Sequence, residues 1–130
     1  MIVVDASALL DALLRAPATQ ALEARLFEFG QTLHAPHLLD LEVTQVLRRC
    51  VAAGQIDEER GRAALSDLSE FPLRRYPHVL LLPRVWELRN NFTAYDAVYV
   101  ALAEVIDAPL LTRDQRLAAA ARRHVKVEVV

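Results

Sequence analysis

Cysteine, lysine and glycine are all scarce in this chain, and each scarcity excludes something. Cys50 is the only cysteine, so an intramolecular disulfide is impossible and a cysteine-based zinc cluster is ruled out as a design. Only 3 glycines occur, and neither GxGxxG nor GxxxxGK[ST] can be found, so the usual dinucleotide and P-loop phosphate cradles are missing. Lys126 is the only lysine; positive charge is carried by arginine. The formal net charge is -2, which gives no long-range pull on nucleic acid, so any such contact needs a local arginine patch. The apolar stretches meet a charge well before bilayer-spanning length. The first strand holds Asp5 with no basic residue before it, which is not a secretory leader. A cytoplasmic protein without membrane contact is the expectation.

What is abundant is apolar side chain, 54% of 130 residues beside 25% charged. That length suits one domain, 1–130, with a core large enough to need no staples. MIVVD reads as a short buried strand ending on an acid, followed by ASALLDALL at helical spacing. Residues 18–29 carry a second helical pattern stopped by Gly30. TLHAPH predicts a strand running into a turn at Pro36, with His34 and His37 as turn residues. LLDLEVTQVLRRCVAAG predicts a long helix ending at Gly54. Asp57 is a natural cap for DEERGRAALSDLSEF. Residues 72–77 look extended, and HVLLLPRVWELRNN is helical from about Pro83, a first-turn position. TAYDAVYVALAEVI is a helix, APLLT a strand, DQRLAAAARR a helix and VKVEVV a last strand. Strands separated by helices imply an α/β sandwich with parallel pairing.

Four acids fall at informative places. Asp5 ends the first strand, where a parallel sheet lines its functional crevice, although it can equally cap the next helix, with Ser7 as a second capping candidate. Asp114 repeats that geometry after PLLT. Asp96 lies in a helix whose only other charge is Glu104. A carboxylate in so apolar a helix costs several kcal/mol unless paired, protonated or metal-bound; the alternative is a capping box with Thr93. Glu42 borders the stripe Leu39, Val43, Val46, Leu47 and Cys50, with Asp40 two positions before it as a rival or Glu42 itself as a solvated edge residue. If the strands carrying Asp5 and Asp114 are neighbours, all four can meet. Carboxylates so placed repel and raise one another's pKa, and a divalent cation relieves the conflict. All-oxygen ligands favour Mg²⁺ or Mn²⁺ over zinc, the chemistry of phosphodiester hydrolysis.

MIVVDASALLDALL, PHLLDLEVTQVLRR, TAYDAVYVALAE and LLTRDQRLA, in this order over nearly the whole chain, resemble a PIN domain, specifically the VapC toxins of bacterial toxin–antitoxin pairs. The resemblance implies an α/β three-layer sandwich, its central and mostly parallel sheet of about 4–5 strands flanked by helices. It makes Asp5, Glu42, Asp96 and Asp114 a catalytic and metal-binding quartet, with Asp5 and Asp96 as the most direct ligands. Ser7 and Thr112 become supporting hydroxyls. It implies a magnesium-dependent endoribonuclease acting on tRNA or rRNA and leaving 5′-phosphate and 3′-hydroxyl ends. It also implies a homodimer and a VapB-type antitoxin partner. The family often carries Asn three residues after the helix acid; here that position is Gln45.

Two other classes compete. A receiver-like module that accepts phosphate also uses strand-end acids and Mg²⁺, but it needs a second acid beside Asp5 and a lysine elsewhere than the last strand. A non-catalytic PIN-like scaffold would need an incomplete quartet. Arg113, beside Asp114, is the best candidate for an RNA or antitoxin contact, ahead of Arg74, Arg75, Arg84 and Arg89. Tyr99, Tyr95 and Trp86 read as core or dimer residues, and the leucines and phenylalanines of 9–29 as an apolar docking face.

Overall fold

A computed structural model describes residues 1–130. Five strands form one sheet: β1 (Ile2–Val4), β2 (Leu33–Pro36), β3 (Leu73–Tyr76), β4 (Leu110–Thr112) and β5 (Val127–Val129). Every pairing is parallel and the order is β3-β2-β1-β4-β5. β1 is the middle strand, and Ile2, Val3 and Val4 are fully buried. That is why its sequence is a continuous apolar run rather than an alternation: both faces of a parallel sheet are covered.

The helices are α1 (Ala6–Leu14), α2 (Gln20–Leu26), α3 (Leu38–Ala52), α4 (Glu58–Glu70), α5 (Leu82–Glu87), α6 (Ala94–Ile106) and α7 (Gln115–Ala121). Parallel crossovers are right-handed. The moves β1 to β2 to β3 therefore put α1–α4 on one face, and the reverse moves to β4 and β5 put α5–α7 on the other. Packing agrees: α1, α3 and α4 touch one another, while α6 lies on β1, β2 and β4. Ala97 through Ala103 are all buried, which explains the nearly charge-free sequence of α6. The three-layer sandwich is as expected, and the sheet is wholly parallel. Its order differs from the 2-1-3-4-5 order of receiver-like folds.

Three local expectations change. The helical pattern of 18–29 is helix only over Gln20–Leu26. Leu22 and Leu26 bury against the core while Phe27 and Phe29 face solvent, so nothing holds a further turn. A 3₁₀ turn, Val79–Leu81, leads into α5, which ends at Glu87. His34 is not a turn residue: it is buried inside β2, between the Thr32 hydroxyl at 2.8 Å and the Tyr76 hydroxyl at 2.7 Å.

Candidate active site

From β1 the chain winds outward through β2 and β3, then returns across β1 to β4. The crevice between the carboxyl ends of β1 and β4 is therefore the switch point at which open α/β sheets bind ligands. Asp5 follows β1 directly, and its backbone N–H donates to Leu111 O of β4 at 3.2 Å. Asp114 lies just past β4. Each crossover helix runs back antiparallel to its strand, so first turns collect at this same edge. Glu42, early in α3, and Asp96, in the first turn of α6, arrive there for that reason.

Asp5 is 5% exposed, and both its oxygens are committed. Oδ1 accepts from Ser7 Oγ at 2.7 Å and from the Ala8 N–H at 3.0 Å; Oδ2 accepts from Thr112 Oγ1 at 2.5 Å. The two hydroxyls are themselves held, since Ser7 Oγ accepts the Arg113 N–H and Thr112 Oγ1 accepts the Asp114 N–H. Asp5 thus caps α1 and joins the site as well. Burial pushes its carboxyl above the ordinary range; the three hydrogen bonds pull it down, and the nearby Asp114 adds to the rise.

Glu42 is half-buried and receives the Tyr99 hydroxyl on Oε1 at 2.5 Å. Burial raises its carboxyl, the Tyr99 hydrogen bond opposes this, and the charges of Asp96 and Asp5 reinforce it. Tyr99 is raised too, first by its own burial and then by Glu42. The ring of Tyr99 is core, as expected, but its hydroxyl belongs to the site. Its spacing was the available signal: Tyr99 lies three residues after Asp96, on the same helix face, and a buried tyrosine hydroxyl needs a partner. Asp40, the rival acid, is instead drawn to Arg75, whose Nε contacts both its oxygens, at 2.8 and 3.0 Å.

Asp96 and Asp114 line a cleft of about 570 Å³ that also holds Asn91, Thr93 and Arg116. The Thr93 hydroxyl accepts the Asp96 N–H at 3.1 Å, the forward half of a capping box. Burial raises the Asp96 carboxyl, Asp114 adds to it, and Arg116 and the Thr93 hydroxyl pull the other way. Asp114 is exposed and caps α7, accepting the Arg116 and Leu117 N–H groups at 2.9 and 3.2 Å. Arg113 turns away from the cleft: its Nε meets Asp11 of α1 at 2.7 Å, and its Nη1 is buried without a partner. It is Arg116, not Arg113, that lines the cleft.

No lysine or arginine forms a salt bridge with any of the four acids. They crowd one another's charge without a built-in counter-ion, and their donors are all hard oxygens, which suits a divalent cation of the Mg²⁺ class. As oriented, no three His, Cys, Asp or Glu side chains gather round one point. The fit is one of donor chemistry and unneutralised charge rather than a ready-made cage.

The family model described as PIN domain matches residues 2–123. Ribonuclease VapC1 of Mycobacterium tuberculosis is 46% identical over 129 residues, covering 98% of this chain and 96% of that protein. Ribonuclease VapC9 of the same organism is 42% identical over 130 residues, covering 100% and 98%. Among solved structures, M. tuberculosis VapC20, a sarcin-ricin loop cleaving toxin, superposes with a TM-score of 0.72 at 16% identity, covering 92% and 95%. VapBC2 of Rickettsia felis, bound to a fragment of its promoter DNA, gives 0.71 at 15% identity, covering 98% of each chain. Those two speak for the fold alone, whereas the model match and the end-to-end relatives speak for descent, and by them this chain belongs to the PIN-domain family, among the VapC ribonucleases.

Proposed function

We propose that residues 1–130 act as one domain, a metal-dependent endoribonuclease that is the toxin of a VapBC-type pair, cutting tRNA or rRNA in the cytoplasm. The observation that carries this reading is the convergence of Asp5, Glu42, Asp96 and Asp114 at the β1/β4 switch point with no basic side chain paired to them. These four would hold Mg²⁺, or Mn²⁺ in its place, with water filling the remaining positions. Such an ion, when bound, polarises a phosphoryl oxygen and acidifies a water. The protein's own part is orientation. Ser7 and Thr112 hold Asp5 by both oxygens, and Tyr99 holds Glu42. Asp96 and Asp114 face the cleft where a phosphodiester can enter, and Arg116 sets a positive charge beside them.

The partners that belong to this reading are RNA, a VapB-type antitoxin and a second copy of the chain. Leu80, Leu82, Trp86 and Tyr95 are exposed around the 3₁₀ turn, α5 and α6, an apolar surface suited to a homodimer. Within 9–29, Leu9, Leu10, Leu13, Leu22 and Leu26 are buried, so Phe27 and Phe29, both exposed, are what remains of the expected apolar face. No helix is long and apolar enough to cross a membrane.

The test is incubation of the purified chain with total RNA and Mg²⁺, Mn²⁺ or a chelator, followed by mapping of 5′-phosphate ends. Discrete new ends that need the metal and vanish in Asp96→Asn are expected. Cleavage by an Asp5→Asn, Asp96→Asn double variant at the wild-type rate would overturn the assignment.

A further inference from the structure

The two flanks of the first turn of α6 differ in kind. On one side Ala94 and Tyr95 face an apolar groove with Leu38, Leu82 and Val85. On the other, Thr93 and Asp96 face the polar cleft, and that cleft does not end at the carboxylates. It continues into a second depression of about 300 Å³, sharing Asn91, Arg116 and Ala120 with the first and reaching Arg123 and His124. Arg89, Arg116 and Arg123 line the combined channel, all exposed and none held in a salt bridge. Arg25, Arg62, Arg75, Arg84 and Arg113 each pair with a carboxylate; of the arginines that form no salt bridge, Arg89, Arg116 and Arg123 lie along the depression that opens from Asp96 and Asp114. Arg89 also stacks on the Trp86 ring and donates to the Trp86 carbonyl, so Arg116 and Arg123 are the two guanidinium groups left unengaged along the channel that leads away from the carboxylates.

We propose that this channel is a one-sided track for the RNA strand: the backbone on one side of the cut runs over Arg116 and Arg123 along the exposed side of α7, with Asn90 and Asn91 within reach of its bases. The proposal rests on the ribonuclease reading above. A polyanion is the occupant favoured by unpaired arginines leading away from a phosphodiester-cleaving centre. Exposed amides at the rim add donors and acceptors for base edges, whereas the groove opposite is apolar apart from His78 and has no arginine or lysine in its lining. Strand extension on one side of the cut therefore adds binding, and extension on the other adds none.

The experiment uses the full chain in the cleavage-dead Asp5→Asn background with Mg²⁺. The probes are a fluorescent single-stranded RNA centred on the mapped cut, and the same RNA lengthened by ~4 nucleotides at its 5′ or its 3′ end. Fluorescence anisotropy is read across a salt series. One extension is expected to tighten binding and the other not. Arg116→Gln with Arg123→Gln should remove that gain, weakening the longer RNA by on the order of tenfold and flattening the salt dependence by roughly 0.7 per arginine. Arg48→Gln with Arg49→Gln, an equal loss of charge toward the far end of α3, should not flatten it. Equal gains from both extensions, or an unchanged salt slope in the Arg116, Arg123 variant, overturn the track. Tighter, Arg116-dependent binding of a glutamate-rich peptide than of the RNA overturns it too, by assigning the channel to an acidic protein segment. None of these results touches the ribonuclease reading, which falls only if the wild-type chain fails to cut RNA or if its acid variants still cut.

Discussion

The four carboxylates divide into two pairs that the fold treats differently. Asp5 and Glu42 form an inner pair whose oxygens are gripped by hydroxyls from elsewhere in the chain: Thr112 lies 107 residues from Asp5, and Tyr99 lies 57 from Glu42. Asp96 and Asp114 form an outer pair. Their local partners come from their own helix starts, and they look into the cleft. Long-range grips lock the inner pair to the junction of β1, β4, α3 and α6, so its geometry is as rigid as the core. The outer pair is only as fixed as the first turns of α6 and α7. On the proposed metal reading, such a build would keep two ligands pre-organised and lower the cost of assembling the site. The pair that faces the cleft keeps more freedom to adjust.

The largest effect should come from the inner pair. Asp5→Asn keeps the size of the side chain and its ability to cap α1 but removes the charge, so RNA cleavage should fall on the order of 10³-fold or more with an unchanged far-ultraviolet circular dichroism spectrum. Asp114→Asn should cost less, roughly 10- to 100-fold, because water can stand in at an exposed position. Equal losses in the two variants would erase the distinction between the pairs. Tyr99→Phe sharpens it from another direction. It keeps the core ring and removes only the grip on Glu42; were Glu42 a metal ligand, as proposed, losing that outer partner would cost roughly 10- to 100-fold in affinity. A calorimetric Mn²⁺ titration should show that weakening; wild-type affinity in Tyr99→Phe would mean that Glu42 holds its place unaided.

Much of this was legible in the sequence because it rests on local rules. A strand-end acid followed by helical spacing places Asp5 and Asp114, and one charge in an otherwise apolar helix marks Asp96. The span of α1 could be read off ASALLDALL. What could not be read depends on distant partners. Asp40 and Glu42 are two positions apart and differ only because Arg75, 35 residues away, claims the first and Tyr99 the second. Arg113 and Arg116 look interchangeable until Asp11 of α1 removes Arg113 from the cleft. The stripe of 18–29 continued on paper past the point where the core stops receiving it. The 3₁₀ turn before α5 has no periodic signature at all.

The smallest effect expected is on stability, and it follows from the sign of the carboxyl shifts. Asp5, Glu42 and Asp96 are all raised in the folded chain. A carboxyl raised by folding adds stability while both states are protonated, and loses it as pH climbs through the folded value. Without metal, each of these acids should therefore cost stability on the way from mildly acidic to neutral pH. Two groups run the other way. Burial lowers His34, and the Arg25 ion pair lowers Glu128, so both lose stability as pH falls. A difference between variants cancels them. In chelator, the melting temperature of Asp5→Asn minus that of wild type should rise by a few degrees as pH goes from about 5 to 7.5. The corresponding difference for Asp96→Asn should rise less, because Asp5 is the more deeply buried of the two. Saturating Mn²⁺ should reverse both trends, since an ion that binds the folded carboxylates stabilises them by mass action. Flat difference curves in chelator would mean that the inner pair is not held under charge strain. A steeper curve for Asp96→Asn than for Asp5→Asn would invert the order of the pairs.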